Sequence, residues 1–443
     1  MARYLLASTP VHGHIAPMTN IAAALVQAGH QVRFLTGAHF REVVEAVGGQ
    51  HVALPAAVDY DASDMDAAFP GRTKRSGLRK LTFDVRHTFI EPVRAQAEAM
   101  WAILDAEPVD AILAETAFFG VLPLLVDPRP RPPVVSVGIT VLPLLSRDTA
   151  PFGLGLPPSS SAAGRVRNWL LNLFVRRIVF GPNQRRLNRT LREMGLPDSP
   201  AFFFDWPRLA DRLFQLSVPG FEYPRSDLPA QVRFVGPPPA HDAIRNQTPP
   251  PWWDELLAAR RSGRPVVHVT QGTVDTSDLS RVIGPALRAL ADKDVFIVVT
   301  TGGRDPATIP GGLPANARAA TYVPYADLLP HIDLAITNGG YGGTQLLLTH
   351  GIPLIVAGDT EDKPEVAGRV AATGVGINLR TGTPTAPALA AAVEAILRNP
   401  TYRQRARTLA AEYASHDTHA LIHAELTDLT RERSATTGPP PAM

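Results

Sequence analysis

The chain has no cysteine among its 443 residues. That excludes disulfides and thiolate metal sites. Charge of one sign is also missing: 43 Lys and Arg face 41 Asp and Glu, for a formal net charge of +2. No basic block stands out, which speaks against nucleic acid as a partner. No apolar run reaches the roughly 20 residues of a membrane-spanning helix. The N-terminal Met1-Ala2-Arg3-Tyr4-Leu5-Leu6 carries too short an apolar stretch for a signal peptide. The expectation is a soluble cytoplasmic protein with no membrane span. The first loop also lacks Gly-x-Gly-x-x-Gly, which ranks a generic dinucleotide enzyme low.

What the chain has is length and punctuation. Its 443 residues, 45% hydrophobic, are too many for one ordinary core and fit two domains. Its 43 prolines predict many loops and abrupt element ends. Tyr4 to Ala7 reads as a buried strand, followed by a loop through His14 and a helix to Ala28 with Pro17 in its first turn. Gly29 ends that helix, and Gln31 to Leu35 is the next strand. Val52 to Leu54, Ala111 to Ala114, Val134 to Val137 and Arg212 to Leu216 extend the alternation. Val235-Gly236-Pro237-Pro238-Pro239 and Thr248-Pro249-Pro250-Pro251 bracket a polar linker. Beyond it, strands are predicted at Pro265 to Thr270, Val295 to Thr300, Leu334 to Thr337, Leu354 to Ala357 and Val375 to Leu379. Strands alternating with helices predict parallel sheets covered on both faces. The expected domains are 1–225, a linker at 226–252, 253–400, closing helices over 401–432, and a disordered tail at 433–443. The stretch from Arg165 to Met194 reads as an amphipathic helix, broken at Gly181-Pro182, that covers the sheet; the other reading is a pocket wall.

The most specific local signal is Thr337-Asn338-Gly339-Gly340-Tyr341-Gly342-Gly343-Thr344, directly after Leu334-Ala335-Ile336. A strand there enters a glycine-rich turn and then a helix. Glycines let the backbone approach a ligand, and a helix start offers unpaired N–H groups and a positive dipole end, which suit a diphosphate. Near the N-terminus a second strand–turn–helix reads Val11-His12-Gly13-His14-Ile15-Ala16-Pro17. With Gly351-Ile352-Pro353 and Gly358-Asp359-Thr360-Glu361-Asp362-Lys363, the set resembles the family-1 type nucleotide-sugar glycosyltransferases. The likeness is to the bacterial branch acting on macrolides, polyketides and phenolics, and it covers nearly the whole chain. It implies a GT-B architecture, two Rossmann-like α/β domains facing each other across a cleft. The acceptor would bind mainly to the first domain and the nucleotide sugar mainly to the second, with the last helix crossing back to the first.

The resemblance assigns roles. His14 aligns with the catalytic base and His12 is its competitor, with adjacent spacing sending the two rings apart. Glu115 falls where the family carries an orienting aspartate. Backbone N–H groups around Gly339, Gly340, Gly342 and Gly343, with the Thr344 hydroxyl, would hold the diphosphate, and Gln271-Gly272-Thr273 is a second cradle. Asn338 replaces a histidine common in the family. Tyr322, before Val323-Pro324, stands where a tryptophan stacks on the base. Asp362 and Lys363 fall where an acid and a glutamine grip the sugar. Leu346 stands where a glutamate grips the ribose diol, which hints at a deoxyribose donor, although Gln345 beside it could take over. UDP- and dTDP-sugars therefore both stay open as co-substrates. No cofactor and no metal are implied: Asp59-x-Asp61 and Asp64-x-Asp66 read as loop acids. Phe69, Phe83, Phe89, Leu142 and Phe152 are candidates for an apolar acceptor pocket.

Read without the resemblance, the same residues are ordinary. His14 is a loop histidine capping a helix, Glu115 a solvated strand-end charge, Tyr322 a strand-end core aromatic, Lys363 a structural ion-pair partner, and the acceptor candidates core. A nucleotide-sugar epimerase and a non-catalytic auxiliary protein on the same fold are the competing functions.

Overall fold

The computed structural model describes residues 1–239, 249–273, 276 and 278–436. The first sheet contains β1 (Arg3–Ala7), β2 (Gln31–Thr36), β3 (Gln50–Ala53), β4 (Ala111–Glu115), β5 (Val134–Gly138), β6 (Arg212–Gln215) and β7 (Val232–Phe234), in the spatial order 3-2-1-4-5-6-7. The second contains β8 (Val266–Thr270), β9 (Phe296–Thr300), β10 (Ala317–Ala320), β11 (Leu334–Thr337), β12 (Leu354–Val356) and β13 (Gly376–Asn378), in the order 10-9-8-11-12-13. Neighbouring strands are parallel throughout both sheets.

The central strands are nearly continuous apolar runs because both faces are covered. Leu5, Ala7, Ile112 and Ala114 enter one apolar cluster, while Tyr4, Leu6, Ala111 and Leu113 enter the cluster on the opposite face. The second sheet repeats this, with Val267, Val269 and Val299 on one side and Val266 and Val298 on the other. In each sheet the winding reverses beside the first strand, between β1 and β4 and between β8 and β11. Loops diverge at such a reversal and open a crevice at the strands' C-terminal ends, where ligands bind in this class of fold.

Helix α1 (His12–Gln27) begins earlier than expected, so His14 lies in its first turn and not in a loop. Pro17 therefore sits inside the helix, where it cannot donate to the carbonyl one turn back. The first sheet runs past the boundary expected at residue 225, because Val232–Phe234 pairs with β6 inside the stretch expected to be linker. That strand is only three residues long and borders Gly236-Pro237, so its apolar pattern is too short to stand out. Strand β10 was also unforeseen; Ala317-Arg318-Ala319-Ala320 carries no β-branched residue. Residues 240–248 of the expected linker lie outside the described residues.

The arginine-rich stretch folds as α2 (Ala162–Phe174), a π turn at Val175–Val179, and α3 (Gly181–Glu193). Only its second half covers the sheet as expected, with Phe180, Leu187 and Leu191 buried beside Leu5 and Ile112, whereas Trp169, Leu170, Leu173, Phe174 and Ile178 are exposed. The inward face of α2 is held instead by polar bonds, Asn168 Nδ2 to the Arg147 carbonyl at 3.1 Å and Asn172 Nδ2 to the Thr149 carbonyl at 3.3 Å.

In the second half, α4 (Ile283–Leu290), α5 (Tyr341–Thr349) and α6 (Lys363–Thr373) follow strands. Helices α7 (Pro400–Ala414) and α8 (Thr418–Thr436) close the chain. Ile422, Leu426 and Leu429 of α8 join the first domain's cluster with Ile15, Met18 and Leu25. Glu425 and Glu432 of the same helix pair with Arg212. The helix continues to Thr436, into the stretch expected to be tail, and 437–443 lie outside the described residues.

One buried histidine makes the second domain sensitive to acid. His268 on β8 is fully buried. Its Nδ1 lies 3.0 Å from the Val298 carbonyl, so Nδ1 donates and Nε2 accepts from the Tyr325 hydroxyl at 3.1 Å. Burial lowers its pKa to about 4. An unfolded chain takes up that proton near pH 6.5 and the folded one does not, so stability is full above 6.5 and falls toward pH 4. The loss expected at pH 4 is about 3 kcal/mol. Urea titrations across that range check it, and His268→Gln should flatten the slope.

Candidate active site

The reversal in the first sheet brings two side chains together. Glu115 is the last residue of β4 and His14 opens the helix after β1, and these strands are adjacent. His14 Nδ1 lies 3.1 Å from Glu115 Oε1. A carboxylate only accepts, so Nδ1 carries the proton and Nε2 keeps its lone pair. Glu115 is fully buried and not a solvated strand end. Its Oε1 also accepts from the Thr9 amide at 3.2 Å and from the Thr9 hydroxyl, and its Oε2 accepts from the Ala117 amide. Four donors fix the carboxylate, which in turn fixes the ring. Burial alone would raise the Glu115 pKa, but His14 and these donors hold it below the usual carboxylate value. Burial alone would lower the His14 pKa, but Glu115, with Asp362 and Glu361 beyond, raises it above the ordinary histidine value.

The His14 side chain keeps 25% of its surface exposed, enough for a ligand to reach. His12 is also exposed, but its ring lies against Phe40 at 4.9 Å and makes no bond to Glu115.

Asp362 brings the second domain to this point. It is the residue before α6, and its Oδ2 accepts from the Thr140 hydroxyl of the first domain at 2.8 Å. Burial raises the pKa of this carboxyl. Lys363 is buried and its Nζ pairs with Glu361 at 2.6 Å and Thr360 at 3.0 Å, which holds the loop before α6.

The glycine turn lies at the second sheet's reversal. Gly339 has φ +85°, a conformation that disfavours side chains, and Gly340 precedes α5. No side chain caps α5 and no acid sits in its first turn. Gly342 and Gly343 are exposed, and a methyl group added at Gly340, Gly342 or Gly343 would meet nothing within 4 Å. The Gly339 and Gly340 amides are taken by the Thr337 hydroxyl at 3.2 Å and Asn338 Oδ1 at 3.4 Å, which leaves the exposed Gly342 and Gly343 at the helix start as the open part of the turn. Thr344 is fully buried, and its Oγ1 has no hydrogen-bond partner among the described residues.

The other donor-side candidates divide. Asn338 is buried and donates to the Gln271 carbonyl at 2.6 Å, stitching the two loops at the reversal together. The Gln271 side chain is committed to the fold: its Oε1 accepts from the Val282 and Ile283 amides at the start of α4, both at 3.1 Å. Any ligand contact there falls to backbone at Gly272 and to Thr273, which is exposed. Tyr322 is 41% exposed, unlike the buried Val323 after it, so it is not a core aromatic. Gln345 does not stand in for the missing glutamate. It is buried, donates to the Leu216 carbonyl at 3.0 Å and accepts from the Tyr413 hydroxyl at 3.2 Å. Leu346 is half-buried against the core.

On the acceptor side Phe69, Phe83, Phe89 and Phe152 are half-buried. Phe69 lies 5.0 Å from Tyr60 and Phe83 lies 4.1 Å from His87, between ring centroids. Phe89 packs on Phe119 at 5.7 Å, and Phe152 on Phe204 at 6.0 Å. Leu142 is 1% exposed among Leu144, Leu213 and Val232, so its side chain belongs to the core and lines no pocket. Asp59 and Asp64 accept from the Ala38 and Ala67 amides at 2.8 and 2.9 Å, as acids that hold turns do.

Three groups here escaped the sequence. Thr9 and Thr140 are lone threonines in loops, with no pattern to mark them. Tyr60 is the third; its Oη is buried without a hydrogen-bond partner among the described residues.

Known proteins share the chain's sequence and fold. Residues 285–429 match the family of erythromycin biosynthesis protein CIII-like C-terminal domains. The chain is 42% identical to the 4'-demethylrebeccamycin synthase of Lentzea aerocolonigenes, over 94% of this chain and 96% of that one. It is 37% identical to UDP-glycosyltransferase 2 of Phaeomoniella chlamydospora, over 93% and 92%. The calicheamicin glycosyltransferase shares the fold with a TM-score of 0.72 at 19% identity, covering 99% of this chain and all of the other (100%). No described helix is long and apolar enough to cross a membrane. The chain belongs to the family-1 type glycosyltransferases of GT-B fold that act on natural products.

Proposed function

We propose that this glycosyltransferase moves a hexose from a UDP- or dTDP-sugar to a hydroxyl of a small apolar acceptor, with inversion and without a metal. The observation that carries the reading is the His14–Glu115 pair facing Asp362 across the domain junction. His14 Nε2 removes the acceptor proton as the acceptor oxygen bonds to the anomeric carbon. The bond from that carbon to the diphosphate oxygen breaks, and its electron pair leaves with the nucleotide. One displacement from the face opposite the leaving group inverts the centre. Growing charge on the diphosphate meets the amides and positive end of α5, fixed donors that need no reorganisation. These supply the stabilisation for which other enzymes recruit a metal, so turnover should survive a chelator.

Asp362, at the meeting point of base and donor, is placed to grip sugar hydroxyls. Tyr322 offers its exposed ring to the base. The half-buried aromatics around Phe69 and Phe83 suit an apolar aglycone, and the Tyr60 hydroxyl, without a partner among the described residues, adds one polar contact beside them. With Leu346 apolar and Gln345 committed elsewhere, little remains at that position to hold a ribose 2'-hydroxyl. A deoxyribose donor then loses nothing. A mass-spectrometric panel of UDP- and dTDP-hexoses against an aglycone library, with and without EDTA, tests the reading. Hexosylated product should form in the chelator and faster from dTDP-sugars. Equal rates would remove the deoxyribose preference, and no product from any donor would sink the transfer reading.

A further inference from the structure

The first domain turns an unusual face to solvent. Val166, Trp169, Leu170, Leu173, Phe174 and Ile178 are 41 to 65% exposed, on the side of α2 and its π turn opposite the buried Gly164 and Asn168. A contiguous apolar stripe of this kind on an outer helix face marks an interaction surface. The charge carried by this stretch of sequence is one-sided. Between Asp148 and Glu193 the sequence holds eight arginines, no lysine and no acid, within a chain whose net charge is only +2. The overall composition conceals this basic block, and it corrects the expectation that none exists. Arg177, Arg185 and Arg189 are exposed and make no ion pair among the described residues.

We propose that α2, the π turn and α3 form a peripheral docking face for an anionic lipid surface. Trp and aliphatic residues on one helix face, flanked by arginines, are the composition that lies in a membrane interface, with the apolar side among the acyl chains and guanidinium groups at the phosphates. Arg165, Arg186 and Arg192 pair with Asp148, Glu91 and Asp198, but charge still selects this occupant over a second copy of the chain, since two copies would bring Arg177, Arg185 and Arg189 of each together. Asn183 of α3 donates to the Thr82 carbonyl at 3.0 Å, which ties the docking face to the helix carrying Phe83. An acceptor dissolved in the lipid surface would therefore enter beside the face that docks.

Co-sedimentation of the full chain with vesicles tests this directly. Binding is expected to equimolar phosphatidylglycerol and phosphatidylcholine, and to weaken at least tenfold on phosphatidylcholine alone. Arg185→Glu/Arg189→Glu should cost more than tenfold on the anionic vesicles, about fivefold or more coming from each charge. Trp169→Glu/Ile178→Glu should abolish binding, with thermal unfolding showing that each variant remains folded. Absence of binding to the anionic vesicles, or equal binding to both compositions, would overturn the proposal. So would a dimer in sedimentation velocity that Ile178→Glu dissociates.

Discussion

His14→Ala should lower kcat by about 10²- to 10⁴-fold, the usual contribution of a positioned general base. The affinity for UDP or dTDP, read by isothermal titration, should stay the same, because the glycine turn and Tyr322 belong to the other domain. Glu115→Gln is the more informative companion. In the proposed reaction the carboxylate holds the Nδ1 proton and stabilises the imidazolium formed when Nε2 takes up the acceptor's proton. Glutamine retains the shape but not the charge, so kcat falls by a smaller factor than in His14→Ala. The pH profile then separates positioning from packing. The base works only when neutral, and its pKa is raised in the native enzyme, so kcat/KM should fall as pH drops through a value above 6.5. Without the Glu115 charge the opposing effect of burial wins, and that acid limb moves to lower pH. A Glu115→Gln enzyme with an unmoved limb would mean that the glutamate does not act on the base.

The sequence made legible whatever depends on neighbours along the chain. The strands showed as apolar runs, and both reversal points could be reached from a strand that ends in a histidine loop or a glycine turn. Glu115 was visible as an acid closing Ala111-Ile112-Leu113-Ala114, but its burial was not, because Thr9 and His14, which satisfy it, meet it only after the chain has folded back. The same limit explains Gln271 and Gln345. Both stand inside motifs where a ligand contact is the natural reading, and both are used up by partners in other elements, α4 for one and the Leu216 carbonyl for the other. Leu142 and the exposed stripe of α2 are mirror images of one difficulty. Hydrophobicity says that a residue can be buried, and only packing decides which ones are.

A buried charge network joining the domains carries the second large effect. Arg369 of α6 is 1% exposed, and its guanidinium pairs with Glu222 of the first domain and, at 2.9 Å, with Glu365. Glu365 Oε1 accepts from the Gly153 and Gly155 amides at 3.0 and 2.8 Å, and Glu222 Oε2 accepts from the Leu142 amide at 2.9 Å. One arginine therefore holds two carboxylates that pin the 140–155 loop of the first domain to the second. Thr140, whose hydroxyl binds Asp362, opens that loop. Arg369→Met leaves two buried carboxylates without the guanidinium bonded to them, a change that typically costs about 3 to 5 kcal/mol. The expected fall in Tm is roughly 10 °C, at 2–4 °C per kcal/mol for units of 150–250 residues. Adding Glu222→Gln should recover part of the loss, because it removes one of the stranded charges, and the double variant should cost less than the sum of its parts. Turnover should fall even where the fold survives, since Thr140 and Asp362 no longer meet. Strict additivity in calorimetry would show that Arg369 and Glu222 act separately, and unchanged turnover in the stable double variant would show that the loop does not help to align the sugar with His14.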